Sequence, residues 1–147
     1  MVGRNLDADN HELAGWINAT GHADRFILLG ERAKPAECLA AMDIFCLSSR
    51  TEGFPNVVAE AMVMALPCVV TNVGDSALLV GDTGVVVPKE DSPALAAGLQ
   101  QLINMPVGQR VAMGQRARQI IINNYSLANA SAAFESVYRT ILFERGK

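Results

Sequence analysis

The chain is poor in aromatic residues, histidine, cysteine and positive charge, and each shortage removes a class of function. Aromatics make up 5% of the 147 residues and do not cluster, so Trp16, Phe26 and Phe45 read as core rather than as a stacking platform. The two histidines, His11 and His22, sit in polar surroundings with no second ligand at helical spacing, so surface positions are expected and no metal site. Three cysteines, Cys38, Cys46 and Cys68, are an odd number at wide spacings, each in an apolar run, and read as reduced core thiols. Twelve Lys and Arg against fifteen Asp and Glu give a net charge of -3, without the basic stripe of a nucleic-acid binder. No apolar run approaches the ~20 residues that span a bilayer, and Met1-Val-Gly-Arg-Asn5 leads into no signal core. The expected location is therefore the cytoplasm, including peripheral attachment at the inner face of the membrane. The Asn-x-Ser/Thr triplets at Asn18, Asn124 and Asn129 then count as chance matches.

What the chain does have is apolar residues, 50% of the total, and a length that supports a core without disulfide or metal staples. Their pattern switches between short β-rich runs and longer stretches of helical period. The runs Arg25-Phe-Ile-Leu-Leu29, Asp43-Ile-Phe-Cys-Leu47, Pro67-Cys-Val-Val-Thr71 and Gly84-Val-Val-Val87 read as strands buried on both faces. Helices are expected at about Asp9–Thr20, Pro35–Met42, Pro55–Ala65 and Ser76–Val80, most of them opened by Pro, Asn, Asp or Ser. Short connections and right-handed crossovers make a Rossmann-like doubly wound parallel sheet, with helices on both faces, the expected architecture.

From Ser92 onward the period is helical throughout. Ser92 is expected to cap a helix with Leu95, Leu99, Leu102 and Ile103 as its buried stripe. A second helix is expected over Val107–Ile122, with Arg110, Arg116 and Arg118 as a solvated basic face. Ser126 is expected to cap a third carrying Phe134, Val137, Tyr138, Ile141 and Leu142. Without repeat or linker, residues 1–147 read as one domain, a sheet region over 1–90 and a helical tail over 91–147.

In an open α/β sheet, ligands bind beyond the carboxyl ends of the strands. After Leu47 the sequence runs Ser48-Ser49-Arg50-Thr51-Glu52-Gly53-Phe54-Pro55-Asn56-Val57-Val58-Ala59-Glu60. Gly53 allows close approach to the backbone, Pro55 pre-sets a helical turn, and the amides that follow form an anion-binding helix mouth. Glu52 precedes the helix and Glu60 lies inside it, so eight residues at helical rise separate them by about 12 Å. That exceeds the ~5–9.5 Å of a glycosidase carboxylate pair and suits a long ligand with a diphosphate between two hydroxyl-bearing ends. Arg50 is a candidate for neutralising phosphate, while Met62, Met64 and Leu66 read as core.

This segment resembles the Glu-x7-Glu signature of retaining glycosyltransferases of family 4, the group 1 glycosyl transferases with a GT-B fold. Gly30 ends a strand as in that family. Asp43-Ile-Phe-Cys-Leu-Ser-Ser49 resembles the strand leading into the signature, and Pro67-Cys-Val-Val-Thr71, Val73-Gly74-Asp75 and Gly81-Asp-Thr-Gly84-Val-Val-Val-Pro88 follow in family order. Two positions depart from it. Ala65 stands where a Gly is usual, and Leu78 where an acid is common.

The resemblance implies a C-terminal nucleotide-sugar-binding domain. Glu52 would contact the transferred sugar, as the catalytic candidate, and the backbone of Gly53, Phe54 and Pro55 would help hold that sugar. Asn56 and Val57 would lie at the diphosphate, Glu60 would accept hydrogen bonds from the ribose, and Arg32 would border the base. The implied activity is transfer of a hexosyl group from a UDP- or GDP-sugar to a glycan or lipid-linked acceptor with retention, in polysaccharide biosynthesis, with no cofactor and no metal. Val2-Gly3-Arg4 aligns with the second strand of the family's domain. A preceding strand with its basic residues, and an acceptor-binding N-terminal half or partner chain, are therefore expected to lie outside this sequence. A non-catalytic nucleotide-binding or scaffold module left from a split enzyme is the alternative reading. The resemblance also implies a C-terminal helix that packs back on the N-terminal half, so Phe134, Tyr138, Leu142 and Phe143 are expected to be partly orphaned and to favour self-association.

Overall fold

Where the sequence alternates short β-rich runs with capped helical stretches, the computed structural model, which describes residues 1–144, folds two compact units, Met1–Ala41 and Met42–Lys147. In the first unit, Asn10 caps α1 (His11–Ala19) by accepting from the Leu13 amide at 3.0 Å, and Leu13 and Ile17 form its buried stripe. A single 3-10 turn covers Ala23–Arg25, and Pro35 opens the short α2 (Pro35–Leu39). The strand expected over residues 25–29 does not form. Arg25 closes the 3-10 turn, and the residues beyond it pair with the chain's first residues, through Leu29 N to Met1 O at 2.9 Å and Gly3 N to Gly30 O at 2.9 Å. Ile27 is 69% exposed, so this is not the doubly buried strand its composition suggests. Trp16, expected in the core, is also exposed.

The second unit is built on a parallel sheet of β1 (Phe45–Leu47), β2 (Cys68–Thr71) and β3 (Gly84–Val87), in the order β1-β2-β3. Cys46 pairs with Val69, and Val69 in turn with Val85, so alternation puts Val69, Val85 and Val87 on one face. That face meets α5 (Ser92–Asn104). A β-carbon at Gly98 would lie 3.1 Å from the γ-carbons of all three valines, so any larger residue would make those side chains give way by a few tenths of an ångström. Leu102, Val69 and Val87 make a shared cluster, which Leu95, Leu99 and Met113 extend. On the other face, Val80 of α4 (Ser76–Val80) reaches Gly84, and α3 (Asn56–Val63) sends Val58, Ala61 and Met62 inward with no exposed surface. Burying Val58 and Met62 contributes roughly 1.5–3 kcal/mol each, and Ala61 less. Helices thus cover both faces, as a doubly wound α/β sheet requires.

Asp91, not Ser92, caps α5, accepting from the Ala94 amide at 2.8 Å; its carboxylate is the stronger acceptor for an orphan helix amide. Ile103 falls off the buried stripe and is 57% exposed, because Leu102 already fills the inward position. Cys68 is buried as expected, and desolvation, with a smaller push from Cys46, raises its thiol to about 12. Cys46 sits exposed on the end strand of this three-stranded sheet instead of in the core.

The tail forms α6 (Val107–Asn124) and α7 (Leu127–Glu144), with Ser126 Oγ accepting from the Asn129 amide at 3.2 Å as the expected cap. Arg116 and Arg118 are exposed, as expected of a solvated face, and Arg110 is half-buried, but two of the three also hold neighbouring backbone. Arg118 donates to the Val63 carbonyl at 2.8 Å, closing the end of α3, and Arg110 donates to the Leu102 carbonyl at 3.1 Å near the end of α5. On α7, Phe134, Tyr138, Leu142 and Phe143 are 66%, 63%, 72% and 78% exposed, as the sequence led us to expect. Among the described residues, no helix is long and apolar enough to cross a membrane.

Candidate functional site

The loop from Ser48 to Pro55 leaves the carboxyl end of β1 and enters α3, and β2 and the turn after it hold it in place. Thr71, at the end of β2 and 3% exposed, donates its hydroxyl to the Ser49 carbonyl at 2.7 Å. Ser49 Oγ in turn donates to Glu52 Oε1 at 2.7 Å, which fixes one carboxylate oxygen and leaves the other available. The Val73-Gly74-Asp75 turn supports the far side of the loop. The Asp75 amide donates to the Gly53 carbonyl at 2.9 Å. Gly74, at φ +49°, lies so close that a β-carbon there would fall 2.2 Å from the Gly53 oxygen and 2.5 Å from the Glu52 oxygen. Only glycine permits that approach.

Pro55 is buried and precedes the first helical residue, and no side chain caps the helix. The Val58 amide bonds back to the Pro55 carbonyl at 2.9 Å, which leaves the amides of Asn56 and Val57 at the helix mouth. Glu60 is exposed, and because α3 begins only at Asn56, the helical rise between that mouth and Glu60 is about 6 Å. The rest of the Glu52–Glu60 separation is loop backbone, so the figure expected from eight helical residues does not apply. Glu52, Gly53, Phe54, Pro55, Asn56, Val57 and Glu60 all belong to the second unit and form one continuous loop-and-helix element.

Arg32 belongs to the first unit and is exposed. The turn before it is well defined: Gly30 is buried at φ +66°, its amide donating to the Leu6 carbonyl at 2.8 Å. Arg50 pairs with Glu90, Nε to Oε1 at 3.4 Å, at the rim of a cavity of about 250 Å³ lined also by Ser48, Thr71, Ser92 and Leu95. Met62 and Leu66 are core as expected, whereas Met64 is 39% exposed.

The local sequence pattern gives Ser49, Thr71 and Gly74 no role in the site. A hydroxyl at the last position of a buried strand was the available signal for Thr71, and the glycine in a tight turn directly after that strand was the signal for Gly74.

Residues 1–105 match the family model described as "Glycosyl transferases group 1". The chain is 32% identical over 121 residues to N-acetyl-alpha-D-glucosaminyl L-malate synthase of Bacillus anthracis, covering 81% of this chain and 32% of that protein. It is 31% identical over 120 residues to the capsular polysaccharide biosynthesis glycosyltransferase CapM of Staphylococcus aureus, covering 80% and 31%. Among solved structures, Anabaena Alr3699/HepE in complex with UDP superposes with a TM-score of 0.80 at 25% identity, covering 93% of this chain and 40% of that one. The chain thus spans about a third of the length of the curated relatives it matches. With the family model spanning residues 1–105 and the α/β architecture shared, the chain belongs to the glycosyl transferases group 1 family.

Proposed function

We propose that this chain supplies the donor-binding half of a retaining hexosyltransferase that moves a sugar from a UDP- or GDP-sugar to a glycan or lipid-linked acceptor. In this reading Glu52 contacts the transferred sugar and the backbone of Gly53, Phe54 and Pro55 lines it. The free amides of Asn56 and Val57 face the diphosphate and Glu60 accepts from the ribose hydroxyls. The leaving diphosphate is stabilised by oriented amides and by positive charge, with no metal ion required. The protein would act in the cytoplasm or at the inner face of the membrane, together with an acceptor-binding half.

The observation that carries the reading is the bracing of Glu52. A half-buried carboxylate is held through Ser49 and Thr71, and by the close Gly74 turn, directly before an uncapped helix mouth. An arrangement that costs this much ordering is the kind of pre-organisation a ligand site uses. The family membership and the UDP found in the Anabaena relative support the donor class.

Calorimetric titration with UDP-glucose and GDP-mannose tests it. One of them is expected to bind, with Glu60→Ala weakening binding about tenfold or more, the scale of losing a charged hydrogen-bond acceptor. Absence of binding by either donor, including after addition of an N-terminal half from a relative, overturns the reading.

A further inference from the structure

The helix that carries the donor loop is gripped at both ends by one neighbour, α6, and the grip at the loop end is aromatic. At the carboxyl end of α3, Arg118 of α6 donates to the Val63 carbonyl at 2.8 Å. One turn further back on α6, Gly114 lies so close to the chain leaving α3 that a β-carbon would fall 1.9 Å from the Ala65 carbonyl oxygen. At the other end, the Phe54 ring in the donor loop lies against Tyr125, which closes α6, with ring centroids 5.9 Å apart and planes tilted by 49°. As the residue number on α6 rises from Gly114 to Tyr125, that of its partner falls from Ala65 to Phe54, so α6 runs antiparallel along the whole of α3. From Arg118 to Tyr125, α6 advances about 10 Å, close to the length of α3 itself.

We propose that α6 is a splint for α3 and that Tyr125 is a positioning residue, setting through Phe54 the loop that presents Glu52 and Gly53 to the donor sugar. The polar braces stop short of Phe54: Thr71 and Ser49 act on Ser49 and Glu52, and the Gly74 turn acts on the carbonyls of Glu52 and Gly53. Phe54 is 42% exposed and carries a large apolar ring, so without an aromatic partner its side chain has a solvent-facing alternative, and the peptide between Gly53 and Pro55 would follow it. Tyr125 removes that alternative. Its own backbone is fixed, the amide donating to the Ile121 carbonyl at 2.9 Å, so the ring is delivered by the body of α6 and not by a free loop. Because α7 begins two residues later, the orientation of the tail is tied mechanically to the same ring. The functional half of this inference rests on the donor-binding reading, whereas the mechanical half does not.

Two measurements on the 147-residue chain separate them. Amide hydrogen exchange reads the loop directly. Tyr125→Ala is expected to speed exchange of the Val58 and Asp75 amides, which donate to the Pro55 and Gly53 carbonyls of the loop, about threefold to tenfold, the equilibrium value of one aromatic pair, while the β2 amides keep their protection. Tyr125→Phe keeps the ring and should restore the wild-type pattern. Tyr125→Leu keeps apolar bulk without the aromatic geometry and should fall between, so the comparison survives if the alanine variant folds poorly. UDP-glucose affinity is then expected to weaken by a similar factor in Tyr125→Ala and to recover in Tyr125→Phe. Unchanged loop exchange in both Tyr125→Ala and Tyr125→Leu overturns the splint. Faster exchange with no change in UDP-glucose affinity, or with no binding by the wild-type chain, overturns the donor role of the loop and the functional role of Tyr125 with it.

Discussion

Two helices of the second unit carry comparable apolar stripes, and the fold treats them in opposite ways. On α5 the stripe goes inward, with Leu102 at 0% exposure and Gly98 letting the helix settle onto Val69, Val85 and Val87. On α7 the stripe stays outside, Phe134, Val137, Tyr138 and Ile141 being 44–66% exposed. The difference is not in the stripes. α5 has a facing surface shaped for it, a sheet of small valines and one glycine, whereas α7 extends from α6 with its apolar residues turned to solvent. An amphipathic pattern states that a helix wants a partner surface, and only the packing says whether this chain provides one.

The largest test of that contrast is Leu102→Ala. Removing a fully enclosed side chain from the Val69–Val87 cluster is expected to cost about 3 kcal/mol in urea unfolding, through lost transfer energy and the cavity left behind. A cost below about 1 kcal/mol would mean that the α5–sheet contact is loose, and the contrast with α7 would lose its basis.

Gly74→Ala comes next and moves the comparison to the site. The new β-carbon would meet two backbone oxygens at 2.2 and 2.5 Å, and neither can rotate away as a side chain end would. With the left-handed φ added, about 2 kcal/mol of destabilisation is expected, along with displacement of the Glu52–Gly53 carbonyls. Donor affinity should fall by about tenfold or more as the loop shifts, since a small misplacement of positioned groups is costly. If Gly74→Ala binds UDP-glucose as the wild type does, the turn is not what holds the loop.

How much of this was legible beforehand depended on the range of the interactions. The three strands of the second unit were readable to within two residues, because β-rich runs bounded by Pro, Gly or Asp report local preference. The 25–29 run failed because its neighbours decide it: its residues pair with the chain's first residues, Phe26 and Ile27 stay exposed and Leu28 and Leu29 are only half-buried, which composition does not encode. Ser92 lost the cap of α5 to Asp91, a one-residue shift within the usual uncertainty of helix ends. Of the site, the Glu52-to-Glu60 element was visible as a contiguous string, whereas its braces were not. Thr71 acts across 22 residues on Ser49, Arg118 across 55 on Val63, and Tyr125 packs at a tilt against the Phe54 ring far back in the chain. Side chains acting at such separations carry no local periodicity.

Ala65 gives a smaller effect of opposite sign. It sits at φ +59°, in the left-handed region where a β-carbon crowds the following carbonyl, immediately after α3. This is the position at which the sequence departs from the glycine usual in the resembling family, and the structure explains why glycine suits it. Ala65→Gly is expected to stabilise the chain by about 1 kcal/mol, the left-handed penalty relieved less part of the entropy of a freer unfolded chain. A rise in melting temperature of a few degrees checks it. A fall would show that the Ala65 methyl contributes packing that outweighs the strain.

The smallest expected effect completes the contrast between the two stripes. Phe134→Ser on α7 removes an aromatic ring, chemically a larger change than Leu102→Ala, yet the ring is 66% exposed and leaves little enclosed volume behind. Its cost in urea unfolding of the dilute chain is expected to stay within about 0.5 kcal/mol, as for surface substitutions generally. The comparison with Leu102→Ala then measures burial rather than residue type. A loss of more than about 2 kcal/mol would place Phe134 in a packed environment and make the two stripes equivalent.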